Sequence, residues 1–294
     1  MKIRDLFREG RPLFSFEFFP PKTPVGEAAL FKTIERLKPL KPAFVSITYG
    51  AGGSTRAKTI EWARRIKFEL GLETAVHLTC VGASRREIKV LLDQVEAAGI
   101  ENVLALRGDP PRGETEFKPA PDGFRYASEL VRFIRAEGYP FSLGGAGYPE
   151  GHVECRDREQ DLLHLKHKVD SGLDFVITQL FFDNHHYFDF LERAERVGIR
   201  VPIVPGIMPI TNIQQVQRFT KMCGASIPRS LLAELERFGD DDQAVLAIGV
   251  EHATRQCQEL LDAGVPGIHF YTLNKSPATR LVVRNLRVPV RKTA

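Results

Sequence analysis

Eight short apolar runs, each followed by a stretch of helical periodicity, restrict this chain more than any other feature. The runs are LFSFEFFP at 13–20, FVSITYG at 44–50, TAVHLTC at 74–80, NVLALRGD at 102–109, FSLGGAGYP at 141–149, FVITQLFFD at 175–183, VPIVPGIMP at 201–209 and GIHFYTLN at 267–274. They lack clean apolar–polar alternation, as strands buried on both faces do. Eight strand–helix units predict an α/β fold: a single closed parallel (β/α)8 barrel, the TIM barrel, with an extra helix inserted before the last strand.

The intervening helices carry their own punctuation. Residues 84–98 open on Ser84 and Glu87, a capping box, and stop before Gly99. Residues 122–137 stop before Gly138, and 156–171 before Gly172. Ser276-Pro277 reads as an N-cap followed by proline at the first helical position. The stretch 211–264 holds more helix than one crossover needs; RSLLAELERF at 229–238 supplies the insertion, and GDDDQ opens the next helix. No linker, low-complexity segment or internal repeat marks a second unit, so residues 1–294 are expected to form one domain.

Charge and cysteine usage exclude some functions. Lys plus Arg total 41 against 37 Asp plus Glu, a surplus of +4 that suits anionic ligands. It is too small and too spread out for nucleic acid. The basic run Arg284 to Lys292 reads as a solvated tail. The four cysteines, Cys80, Cys155, Cys223 and Cys257, form no CxxC or zinc spacing and fit reduced thiols. MKIRDLFREG has no apolar h-region, and no apolar run approaches the ~18 residues of a membrane span. A cytoplasmic protein with no membrane or nucleic-acid partner is expected.

Sites on such barrels lie at the C-terminal ends of the strands. The polar residues of these runs gather there: Glu17, Thr48, His77, Arg107-Gly108-Asp109, Gln179, and Tyr271 with Asn274. Polar groups inside a barrel are costly unless satisfied, so their convergence points to a site. Glu17 lies among Phe16, Phe18 and Phe19. Burial raises a carboxyl pKa and can keep it protonated as a general acid; the alternative is a structural carboxylate satisfied by a buried Lys or Arg. Asp109 ends LRGDPP, where it either organises the turn or serves the site, and Arg107 could pair with it or grip an anion. GAGGST at 50–55 reads as a plain βα loop or an anion nest. GGAGYPEGH at 144–152 does not fit GxGxxG, and neither run has a Walker lysine. His164 and His167 sit three apart on one predicted helix, His185-His186 start another, and no HExxH occurs, so no metal site is expected. No GxSxG nucleophile elbow is present. Phe219, on a helical apolar face, reads as core on pattern alone.

Eight motifs in order resemble the methylenetetrahydrofolate reductase family in its short bacterial form: FEFFPPK at 16–22, SITYGAGGS at 46–54, HLTC at 77–80, LRGDPP at 106–111, AGYPEGH at 146–152, TQLFFD at 178–183, PGIMPITN at 205–212 and HFYTLN at 269–274. The resemblance covers residues 10 to 287. It implies noncovalent FAD, with NADH or NADPH as reductant, and a homo-oligomer. Glu17 would be the general acid, and Asp109 would lie near flavin and folate. Flavin-contact positions fall on Thr48, His77, Arg107, Gly108, Tyr126, Ala127, Tyr148, His152, Asp161, His164 and Lys168. His164 stands where the enterobacterial form has asparagine, and His167 where it has arginine. Gln179, Gln215 and Lys275 match substrate contacts, with Lys275 replacing an arginine and so losing a bidentate grip; Tyr271 joins them at the last strand end. The resemblance makes Phe219 a stacking residue, reversing its reading as core.

This family pattern implies ping-pong turnover: the nicotinamide cofactor reduces flavin and leaves, then methylenetetrahydrofolate enters and becomes methyltetrahydrofolate, a methyl source for methionine synthesis. Three rivals are a related flavin barrel such as proline dehydrogenase, a flavin-free pterin barrel transferring methyl groups, and a barrel that only binds folate.

Overall fold

The computed structural model describes residues 1–21, 23–49, 56–110, 117–239 and 241–288. The GAGGST run, Lys22, Pro111 and the end of the basic tail lie outside these residues. Eight parallel strands close on themselves in sequence order, so the predicted barrel is the observed one. The strands are β1 (Leu13–Phe18), β2 (Phe44–Ile47), β3 (Thr74–Thr79), β4 (Asn102–Leu106), β5 (Ser142–Gly147), β6 (Phe175–Leu180), β7 (Ile203–Ile207) and β8 (Gly267–Tyr271). Closure comes from β1 pairing with β8, which sets Ser15 beside His269 and Glu17 beside Tyr271.

The helices, in chain order, are α1 (Ile3–Leu6), α2 (Pro24–Leu37), α3 (Arg56–Glu69), α4 (Arg85–Ala97), α5 (Ala127–Ala136), α6 (Arg158–Asp170), α7 (Asn184–Arg196), α8 (Ile213–Cys223), α9 (Arg229–Arg237), α10 (Asp242–Asp262) and α11 (Pro277–Asn285). The capping box of α4 forms as read: Ser84 Oγ accepts the Glu87 N–H at 3.2 Å, and Glu87 accepts the Ser84 N–H at 2.8 Å. Its buried residues Ile88, Leu91, Leu92 and Val95 recur at helical spacing and face the sheet. Two boundaries differ from the sequence reading. Helix α5 begins at Ala127 rather than 122, because the preceding residues turn and bury Phe124 instead. Ser276 precedes Pro277 as expected but makes no side-chain cap bond, since its own backbone is already helical.

The barrel interior is layered. At the N-terminal end, α1 inserts as a plug: Ile3 is fully buried, and its N–H donates to Asn102 Oδ1 at 2.7 Å. Above it Phe44, Ala75, Leu104, Phe175, Ile177 and Val204 form an apolar layer with Ile3. Gly144 makes room for it, because a Cβ there would stand 2.3 Å from Leu104 and 2.6 Å from Phe175. The larger cluster fills the space between sheet and helices, and Phe16 and Phe18 belong to it. Strand alternation therefore turns Ser15 and Glu17 inward, above the apolar layer.

Candidate active site at the barrel mouth

Glu17 stands at the centre of the mouth. Its Oε2 lies 3.2 Å from His77 Nε2 on β3, 3.4 Å from His269 Nε2 on β8, and accepts the Ser46 hydroxyl at 3.5 Å from β2. His269 is wholly buried, and its Nδ1 lies 2.7 Å from Ser15 Oγ. A Ser15 hydroxyl donating to Nδ1 assigns the remaining ring proton to Nε2, which then donates to Glu17. Burial pushes the Glu17 carboxyl up. The charge of His77, then hydrogen bonds from His269 and His77, outweigh it and hold the group at about 2. This corrects the expectation of a carboxyl raised by phenylalanines: Glu17 is an anion in an imidazole cluster, and its partners are neither Lys nor Arg.

Tyr271, two residues beyond His269, donates its hydroxyl to Thr178 O at 2.6 Å and meets the His269 ring edge-on at 5.4 Å. Burial, followed by the Glu17 charge, raises its phenol well above the ordinary value. Gly206 is required below it, for a Cβ would stand 2.2 Å from Thr178 O. Gln179, at the end of β6, folds back to accept the Leu180 N–H at 2.9 Å.

Arg107 does not pair with Asp109. Its Nη1 and Nη2 donate to the two Glu154 oxygens, each at 2.6 Å, which keeps that carboxyl below its usual range. Asp109 is exposed at the rim. Gly108 between them has φ +88°, and Val81 fills the place of its missing side chain, so only glycine suits this turn. Across the mouth, Tyr148 is half-buried with its ring edge-on to His152 at 4.6 Å. Burial pushes its phenol up, and Asp109 adds to the rise. His152 donates its backbone N–H to Asp161 at 3.2 Å. Lys168 is half-buried and donates to Ala146 O at 2.6 Å; its removal from solvent lowers its ammonium to about 8. His164 and His167 instead face outward, toward Gln160 at 3.0 Å and Arg132 at 3.1 Å. Tyr126 caps α5 and is 55% exposed, with Ala127 beginning the helix. Two buried hydroxyls at the strand ends, Thr48 Oγ1 and Thr79 Oγ1, have no hydrogen-bond partner among the described residues.

Gln215 and Lys275 come together on the far side, lining a cavity of about 640 Å³ with Asn212, Arg218 and Asp242. Asn212 accepts the Gln215 N–H at 2.9 Å and caps α8. Phe219, one turn on, is half-buried on a second apolar cluster, and the Arg218 guanidinium lies 5.5 Å from its ring.

Sequence reasoning missed Ser15, Ser46, His269 and Glu154. The signal for the first and third was present: each sits two residues before a flagged residue, hence on the same face of its strand. Cys155, Asp161 and His164 also bring side-chain N, O and S atoms within 4.8 Å of one another, a grouping that sequence reasoning did not single out.

Fold and mouth together define a closed parallel (β/α)8 barrel with a carboxylate–imidazole cluster at the C-terminal ends of its strands. The chain belongs to the methylenetetrahydrofolate reductase family, whose model matches residues 2–287. It is 41% identical over 295 residues to methylenetetrahydrofolate reductase (NADH) 1 of Arabidopsis thaliana, covering 97% of this chain and 50% of that one. It is 39% identical over 280 residues to 5,10-methylenetetrahydrofolate reductase of Escherichia coli strain K12, covering 95% and 92%. The chain thus spans about half the length of the plant relative and nearly all of the bacterial one. A solved structure of an uncharacterised Clostridium thermocellum protein that binds two copies of 5-methyl-5,6,7,8-tetrahydrofolic acid shares the fold, with a TM-score of 0.65 at 16% identity over 96% of both chains.

Proposed function

We propose that this chain reduces 5,10-methylenetetrahydrofolate to 5-methyltetrahydrofolate with NADH or NADPH, using noncovalent FAD held in the barrel mouth, by a ping-pong mechanism. The observation that carries the reading is the buried Glu17 anion between two imidazoles at the strand ends, in a chain of this family. The unpartnered Thr48 and Thr79 hydroxyls fit a polar cofactor, since a buried unsatisfied group costs about 1–3 kcal/mol that a ligand hydrogen bond relieves.

Thr48, His77, Arg107, Gly108, Asp109, Tyr126, Ala127, Tyr148, His152, Asp161, His164 and Lys168 are the residues we assign to the flavin. Bound flavin supplies hydride transfer between nicotinamide and folate. Gln179, Gln215, Phe219, Tyr271 and Lys275 are assigned to the substrates, with Gln215 and Lys275 presenting amide and cation to the outer cavity. Glu17 and Asp109 are the catalytic pair. Methylenetetrahydrofolate is a poor hydride acceptor until its bridging nitrogen is protonated and the ring opens to an iminium. His77 and His269 face the Glu17 carboxyl, and we assign to Glu17, resupplied through this cluster, the delivery of a proton to that nitrogen. To the exposed Asp109 carboxylate we assign electrostatic stabilisation of the cationic iminium. No helix among the described residues is long and apolar enough to cross a membrane. A cytoplasmic homo-oligomer, with residues 1–294 acting as one flavin-binding domain, completes the proposal.

An anaerobic spectrum tests the whole scheme. A flavin band that bleaches with NADH and returns with methylenetetrahydrofolate is the expected result. Bleaching without recovery would move the second substrate elsewhere. A protein that stays colourless after FAD addition would return the chain to the pterin methyl-transfer or folate-binding readings.

A further inference from the structure

One carboxylate ties the loop after β5 to the helix after β7. Glu150 sits in a turn closed by the Gly151 N–H on Tyr148 O at 3.0 Å, with Gly151 at φ +91°. Its side chain is 9% exposed and reaches the connection between α8 and α9. There the Ser226 N–H donates to both Glu150 oxygens at 3.1 Å, and the Ser226 hydroxyl donates to Oε2 at 2.6 Å. His186, near the start of α7, brings Nε2 to 3.4 Å from Glu150 Oε2 and 3.3 Å from Ser226 Oγ. A second contact lies beside this one. Gly224, the left-handed C-cap of α8, approaches the same loop so closely that a Cβ would stand 2.8 Å from Val153. The C-terminal end of α8 is therefore pinned to the β5–α6 loop at two points.

Glu150 has no Lys or Arg partner among the described residues. A carboxylate mostly withdrawn from water and lacking a permanent cation is a poor device for stability. What it holds is a spacing. The loop carries Tyr148 and His152 on one side, and α8 carries Gln215 and Phe219 on the other. Phe219 and Cys223, four residues apart, pack on the same apolar cluster just before the pinned end of the helix. We propose that Glu150 is a positioning residue: by holding the α8–α9 connection against the β5–α6 loop, it sets the gap between Phe219 and the Tyr148–His152 pair. The inference rests on the assignment of that pair to the flavin and of Phe219 to the substrates. Glu150 touches neither ligand and moves no proton. A gap that is too wide weakens binding of the ring stacked in it but leaves the reacting groups alone, so its loss raises KM and spares kcat.

Steady-state kinetics of the flavin-loaded, full-length protein tests this, with NADH and methylenetetrahydrofolate varied in turn. Glu150→Ala should raise KM for both substrates by about tenfold, as for lost hydrogen bonds to a charged group, with flavin retained and kcat changed by less than about twofold. Ser226→Ala, on the exposed side of the contact, should move KM the same way by less. Glu150→Gln keeps an acceptor for Ser226 and should recover most of the affinity. The decisive comparison is a double-mutant cycle with Phe219→Ala. Adding Glu150→Ala to Phe219→Ala should raise KM no further, because the residue it positions is already gone. Effects on KM that multiply would show two independent residues and overturn the proposal. So would an unchanged KM in both Glu150→Ala and Ser226→Ala, or a loss confined to kcat. If Glu150→Ala fails to fold, the same cycle run with Ser226→Ala decides. Failure of the flavin scheme shows separately, as unmodified protein without a flavin band that NADH bleaches.

Discussion

Glu17 carries a charge on a strand whose neighbouring residues are phenylalanines. Burial alone would have protonated it, and the flanking sequence says no more than that. What reverses the outcome is the cross-strand register, which brings His269 alongside from 252 residues away and His77 from β3. A single strand shows which residue is special but not which partners meet it. Glu17→Gln removes the path for the proton. Folate reduction should fall by about 10²–10⁴-fold while flavin reduction by the nicotinamide persists. Stopped-flow measurement of the two half-reactions checks this, and equal loss of both would end the assignment. The same anion has a folding consequence. Its folded pKa, about 2, lies below the ordinary value of 4.5, so its stabilisation is complete above the higher value and lost as pH falls through the lower. The Lys168 pKa is lowered too, so the slope has the same sign, but here the charged form is the one the fold penalises, below about 8. The unfolded chain holds a proton between about 8 and 10.5 that the folded chain releases, so stability rises with pH across that window. Lys168→Met should therefore raise the Tm at pH 7 without added ligand, with the gain shrinking by about pH 9.5. An equal gain at both pH values would show that the buried charge is not the cause.

At the scale of elements, the local signals were the readable ones. The Ser84–Glu87 box fixes the start of α4, and glycines stop α4, α5 and α6 where the sequence places them. The start of α5 was misread because a helical pattern and a turn burying Phe124 both place an apolar residue at that position. Contact between elements cannot be read this way. Gly249 lies inside α10, where a helix propensity argument favours alanine by roughly 0.5–1 kcal/mol. In the fold, α10 passes so close to the loop after β7 that a Cβ would stand 1.9 Å from Ile210 O. Gly249→Ala should destabilise by about 1–3 kcal/mol as backbone is forced apart. A thermal melt decides, since an increase in Tm would mean the helix accommodates the methyl group.

At the scale of the whole molecule, the barrel divides into a plugged end, an apolar middle and a polar mouth. The closed sheet was legible because eight runs repeat; the plug was not, because α1 has 4 residues and no periodicity to detect. Division of labour between the two ends is testable. Ile3→Ala opens a cavity beneath the apolar layer and should cost about 2–5 kcal/mol, with both half-reaction rates unchanged below the melting transition. Slower folate reduction at a temperature where the variant is fully folded would show that the plug supports the mouth as well. The seam between β1 and β8 also sets an order of events. During synthesis the carboxylate leaves the ribosome near the start and its buried imidazole near the end, and neither can find the other until the last strand docks. The cluster is thus completed in the same step that closes the cylinder, and a nascent chain lacking β8 has Glu17 without its His269 hydrogen-bond partner.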